Sequence, residues 1–231
     1  MPVRASIKSL AAKLRQFQRS DTKFIWILGA VFASIILHPF LPSEGWSSFI
    51  VQVLQSFVIL SGIVVASNER QVLRQVTVIG LFIISLGWIS SLAQQQFPSL
   101  VLLVYALYAG FIGFMTIAII LVIIKTPKVT GNIICGAVTG YLLIGLSGAF
   151  LALLVETLNP GAFLMSGELL PRAGLANHLI YYSMVSLSTI GYGDITPATP
   201  VARSLSLAIG LIGQIYLTVL VATLVGKFLK D

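Results

Sequence analysis

The sequence predicts an all-α integral membrane protein, with six transmembrane helices and a short re-entrant segment between the fifth and the sixth. Three observations carry this reading. Hydrophobic residues make up 57% of the 231 positions and charged residues only 9%, against about 25% charged in a soluble domain. Six apolar runs, each near or above the roughly 17–25 residues that cross a bilayer core, follow one another along the chain. The basic residues gather in the gaps that six spans would place on one side.

Residues 1–23 precede the first run. Ile7, Leu10, Ala11, Leu14 and Phe17 recur at helical spacing, and Lys8, Arg15 and Arg19 share another face. The stretch reads as an amphipathic helix lying on membrane lipids, or as a basic topology anchor. It lacks the short apolar core and cleavage site of a signal peptide. Residues 24–128 hold four runs, at 24–41, 49–67, 76–92 and 99–124. Residues 129–231 hold two more, at 132–155 and 205–229, with a shorter apolar segment at 178–189 between them. That segment is too short to span, so it is predicted to re-enter.

Charge sets the predicted orientation. Twelve of the fourteen Lys and Arg fall on one side of a six-span arrangement, and only Arg172 and Arg203 on the other. The positive-inside rule then makes this a multi-pass protein of the cell membrane with both termini in the cytoplasm. The single Cys135 has no intramolecular disulfide partner and reads as a buried, inert residue. No nucleic-acid or phosphate motif is present, so no nucleic-acid partner is expected.

The run at 99–124 contains no basic residue; Lys125 and Lys128 come after it. A voltage sensor needs arginines within the membrane at regular spacing, because charge moved through the field supplies the work. The four-helix module is therefore read as a support for residues 129–231. Gln52, Gln55 and Ser56 form a small polar stripe, read as interhelical packing. His38 is read as interfacial.

The segment "SLSTIGYGDITP", residues 186–197, has the least ordinary composition in the chain. Irregular backbone at membrane depth is tolerated only where protein buries it or where it lines a water-filled path. Gly191 and Gly193 permit dihedrals closed to other residues. With left-handed angles at both, successive carbonyls can face one axis, which makes a cation site.

Thr189, Ile190, Gly191, Tyr192 and Gly193 resemble the signature filter of tetrameric potassium channels, and Asp194 matches the acid that comes after it. The resemblance runs from Thr130 to the end of the chain, as outer helix, pore helix, filter and inner helix. It implies a homotetramer in which four chains each supply one filter strand. It implies potassium ions held by the carbonyls of Thr189, Ile190, Gly191 and Tyr192 and by the Thr189 hydroxyl, with no other cofactor and no catalysed reaction. Asp194 is expected to bond behind the filter to a pore-helix aromatic, Tyr181 or Tyr182, where the family often has a Trp pair; Ser188 supports the filter start. Val185 stands where some members carry a glutamate. Gly213 falls at the family's gating hinge and reads as hinge or as packing site; Leu217 and Val221 are candidate cavity-lining residues that could gate by dewetting. Gln214 bonds between helices or faces the cavity. Glu156 is a solvated helix-end acid or a ligand of the chain around the filter. Glu168, Arg172 and His178 read as solvated linker residues. With the chain ending at Asp231, control by a cytosolic ligand-binding domain is expected to need a separate regulatory partner. The alternatives are a weakly selective cation channel, against which Tyr192 argues, a potassium transporter subunit, and a regulatory subunit that does not conduct alone.

Overall fold

The structure is a computed structural model that describes residues 23–37, 40, 47–65, 70–93, 98–126 and 128–229. The amphipathic helix predicted at 1–23 lies outside the described residues except for Lys23, which opens α1, and the interfacial His38 lies outside them too. Seven helices follow in chain order: α1 (Lys23–Leu37), α2 (Ser47–Val65), α3 (Arg70–Ala93), α4 (Pro98–Lys125), α5 (Gly131–Leu158), α6 (Leu175–Leu187) and α7 (Pro200–Phe228). Between α5 and α7 lie three short strands, β1 (Phe163–Met165), β2 (Glu168–Leu169) and β3 (Ile195–Pro197).

Among the described residues, four helices contain stretches long and apolar enough to cross a membrane: Val72–Ser91, Ser99–Lys125, Gly131–Leu158 and Pro200–Phe228. The apolar parts of α1 and α2, Phe24–Leu37 and Gln52–Ile63, are shorter. At 1.5 Å per residue the first rises about 21 Å, less than a hydrocarbon core of about 30 Å. The six-span expectation counts these two helices as spans.

α5 is the hub. It packs against α1, α4, α6 and α7, and its contact with α4 is the most extensive in the chain. Small residues make the approach possible. A Cβ added at Gly136 would press on the Phe24 ring of α1, one at Gly140 would meet Tyr216 Oη of α7 at 2.5 Å, and one at Gly145 would meet Met184 Sδ of α6 at 2.5 Å. Each missing side chain is thus a socket for a partner, as small residues are at membrane helix contacts. Tyr108 of α4 stacks on Phe150 of α5 with ring centroids 4.9 Å apart. The polar stripe of α2 does pair between helices: Gln52 Nε2 donates to Tyr108 Oη at 3.0 Å, and Trp88 Nε1 of α3 donates to Ser56 Oγ at 3.3 Å.

The helix starts obey local rules. Thr130 caps α5, its side chain accepting from the Ile133 N–H. Thr199 caps α7 in the same way, with Pro200 at the first helical position. α7 therefore begins five residues before the predicted 205; the Thr-Pro pair is the signal that marks this start.

The sheet is the feature absent from the sequence reading, which expected loops. β1 and β2 form a hairpin whose two-residue turn, Ser166 and Gly167, has positive φ at both positions (52° and 90°), the geometry of a type I′ turn. β1 also pairs antiparallel with β3, Leu164 opposite Thr196, giving the order β2-β1-β3. The strands are too short, at two or three residues, for a periodic pattern to declare them.

Candidate functional site

The TIGYGD turn sits where four elements converge. α6 is a 13-residue helix packed between α5 and α7, and its last turn is closed by Ser188, whose hydroxyl donates to Met184 O at 2.8 Å. The Leu187 carbonyl accepts from the Tyr141 hydroxyl of α5 at 3.1 Å. On the other side α7 comes so close that a Cβ on Gly213 would stand 2.5 Å from the same carbonyl. The start of the turn is therefore clamped from both flanking helices.

Beyond Leu187 the backbone alternates in hand. Thr189, Gly191 and Gly193 have φ of 57°, 60° and 79°, while Ile190 and Tyr192 between them do not share the positive region. The two glycines take the left-handed angles their lack of Cβ permits. Thr189 does so without that licence, at a cost of roughly 1–2 kcal/mol. Its N–H donates to Ser186 O at 3.1 Å, and the next N–H, of Ile190, donates to Val185 O at 3.1 Å, so α6 holds it in place. Threonine carries no compositional sign of this; only the alternation set by Gly191 and Gly193 points to it. Among the described residues, no hydrogen bond uses the carbonyls of Thr189, Ile190, Gly191, Tyr192 or Gly193. Ile190 and Tyr192 present exposed side chains in the single chain.

A closed circuit of bonds holds the far end of the turn. Tyr181 Oη donates to Asp194 Oδ2 at 2.7 Å, tying the turn back to α6, and this bond holds the carboxyl below the usual carboxylate range. Asp194 O accepts from Ser166 N at 2.9 Å, and β3, starting at the next residue, pairs with β1. β1 is held in turn by Glu156 at the end of α5. Its two carboxylate oxygens accept from Gly161 N–H and Phe163 N–H, each at 2.8 Å. Of the two readings of Glu156, the solvated helix-end acid is corrected and the ligand of nearby chain stands: the residue is buried and accepts from two backbone N–H groups.

Tyr182 departs from the paired role predicted for it. One residue along a helix rotates the side chain by about 100°, so Tyr182 turns from Asp194 into the interior. There its hydroxyl bonds Ser206 of α7, and its ring meets Phe163 edge-on at 5.0 Å. Ser183 donates to Gly145 O at 2.7 Å. Below the turn, Gln214 Nε2 lies 3.5 Å from Thr189 Oγ1, so this amide reaches the turn itself. α7 runs unbroken through Gly213, where the Leu187 contact is a packing reason for the glycine. Leu217 and Val221 are exposed on the same helix. Arg172 precedes α6, whereas His178, read as a linker residue, lies in the first turn of α6, its N–H donating to Gly174 O at 3.2 Å. Among the described residues no group of three His, Cys, Asp or Glu could hold a metal ion.

Known proteins resemble part of this chain. Residues 171–230 match the family model described as an ion channel. Over 85 residues the chain is 32% identical to a voltage-gated potassium channel of Aeropyrum pernix, a match covering 37% of this chain and 26% of that protein. Over 70 residues it is 43% identical to the two pore potassium channel c of Oryza sativa subsp. japonica, covering 30% of this chain and 15% of that protein. The similarity therefore spans about a quarter of the first relative and less than a sixth of the second. No solved structure matches. With its apolar helices of spanning length, the chain is a membrane protein, and its ion-channel match takes in α6, the TIGYGD turn and α7 together.

Proposed function

We propose that this chain is the subunit of a homotetrameric, potassium-selective channel that conducts passively. The observation that carries the reading is the alternating hand of Thr189, Gly191 and Gly193 in a TIGYGD string held between two apolar helices. Alternation turns successive carbonyls of a short extended segment toward one side, and four such segments about an axis replace the water shell of a potassium ion. Thr189, Ile190, Gly191 and Tyr192 supply these carbonyls, and Thr189 adds its hydroxyl. The C-terminal end of α6 lies at the start of the turn and carries roughly half a negative charge, which favours a cation there. Selectivity then rests on keeping the ring of oxygens in place. The Tyr181–Asp194 bond and the Glu156–β1–β3 circuit supply that restraint from behind.

In this reading α1 to α5 and α7 all span, both termini are cytoplasmic, and residues 24–128 form a supporting module around the pore unit at 129–231. The module does not sense voltage, since α4 has no basic residue between 99 and 124. The similarity to potassium channels and the exposed apolar face of α7, which other copies would cover, support the reading.

The test is a planar-bilayer recording of the purified chain, with potassium on one side and sodium on the other. The reversal potential should follow the potassium gradient, and the conductance–voltage relation in symmetric potassium should be shallow. A reversal potential near zero would remove selectivity from the proposal. A steep sigmoid lost on neutralising Lys125 and Lys128 would return a sensor role to α4.

A further inference from the structure

One side chain ties the C-terminal end of α7 to the C-terminal end of α4. Lys227 Nζ lies 2.7 Å from Ile123 O, 2.9 Å from Ile124 O and 2.7 Å from Thr126 O. An ammonium has three donors, and all three are used. Ile123 and Ile124 belong to the last turn of α4, whose carbonyls have no acceptor role within the helix. Their neighbour Val122 O is already served by the Thr126 N–H and hydroxyl. The negative end of the α4 dipole adds to the attraction. Among the described residues, Lys227 supplies the hydrogen bonds that join the end of α4 to the end of α7.

We propose that Lys227 is a latch that keeps α7 from bending at Gly213 and keeps the channel closed. The proposal rests on the reading of α7 as the helix lining the ion path. From Gly213 to Lys227 a helix rises about 21 Å. A kink of about 20° at Gly213 carries the ammonium roughly 7 Å sideways, well beyond hydrogen-bond reach. A bend of that size at Gly213 and the three bonds therefore exclude one another. While they last, Leu217 and Val221 stay where four copies would form an apolar constriction, which stops ions by dewetting. Release of the latch allows the bend that widens it. The first four helices then act on the pore by offering or withdrawing three carbonyls at the end of α4, without any moving charge.

The experiment uses the full chain in two measurements. In bilayers with symmetric potassium, Lys227→Met keeps the apolar stem and removes the donors; open probability should rise on the order of tenfold. Lys227→Arg keeps charge and donors and should stay near the native value. Hydrogen exchange at the amides closing the end of α4, around residues 122–126, should quicken in the Met variant and not in the Arg variant. Unchanged exchange in Lys227→Met would overturn the tie itself. Quicker exchange with unchanged open probability would leave the tie as structural support and overturn the latch. A native chain that passes no current would instead overturn the channel reading, and the exchange measurement would still decide whether the tie exists.

Discussion

α5 and α7 are nearly equal in length, 28 and 29 residues, and both are apolar enough to cross a membrane. Yet α5 buries fourteen residues within the chain and α7 buries four, Ala202, Ile209, Gly213 and Tyr216. The difference lies in side-chain size rather than in hydrophobicity. α5 spaces glycines along its length, and each of Gly136, Gly140, Gly145 and Gly148 receives a side chain from another helix. α7 leaves Leu207, Leu211, Ile215 and Val219 exposed. A helix whose sockets are filled by its own chain is complete in one copy. A helix with a long bulky face awaits lipid or other copies, and a homotetramer would divide that face between the two. Overall hydropathy cannot separate these cases, because lipid tails are as apolar as leucine.

The largest effect should come from filling a socket of α5. Gly145→Leu drives a side chain into Met184 and Leu187, an overpacking that costs typically 1–3 kcal/mol or more and that displaces α6 from its seat. Size-exclusion in detergent should show aggregated or unfolded protein. Ile215→Ala on the exposed face of α7 should leave the fold of the chain intact and, under the tetramer proposal, weaken assembly. If both variants unfold alike, the distinction between the two helices is lost.

Gly191→Ala sharpens the comparison, since nothing lies within 4 Å of the added Cβ and only φ, at +60°, opposes it. The penalty is roughly 1–2 kcal/mol per chain, small for the fold and, under the tetramer proposal, repeated four times in the filter. Folding and assembly should persist while conduction disappears. Normal single-channel current would remove the filter geometry from the proposal.

Glu156→Gln tests the completeness of α5 at its end. The variant loses the charge and one of two acceptors, and hydrogen bonds to a charged group are worth about 1.5–3 kcal/mol each. The thermal midpoint in detergent should fall by roughly 5 °C, and currents should lapse sooner, because β1 and β3 loosen at the end of the turn. A variant with native stability and native open durations would return Glu156 to a passive role.

The smallest effect concerns the exposed bond behind the turn. Tyr181 lowers the pKa of Asp194, so the carboxylate form is the one the fold stabilises. A depressed pKa contributes stability that is present above the ordinary carboxylate value and is lost as pH falls through the depressed one. Conduction should thus survive mild acid and fail only below the usual carboxylate range. Tyr181→Phe should move that failure to higher pH with little change at neutral pH. An unchanged acid profile would mean that the bond does not hold the turn.

What the sequence by itself determined rests on short-range physics. Apolar run length declared α3, α4, α5 and α7, because burying a backbone in lipid demands internal hydrogen bonds over a set distance. The TIGYGD string declared the left-handed Gly191 and Gly193, because the steric cost of a Cβ is local. The lack of charge from 99 to 124 needed no fold to be read. Tertiary structure decided the rest, because it depends on which groups meet through space. It chose Tyr181 over Tyr182 as partner of Asp194, though the two adjoin and differ only in the direction they face. It turned Glu156 from a helix-end acid into a ligand of β1 by bringing two N–H groups back onto it. It gave Gly213 a packing contact by laying α7 on the Leu187 carbonyl. And it spent Lys227, one basic residue among fourteen, on the open carbonyls of a helix more than a hundred residues away.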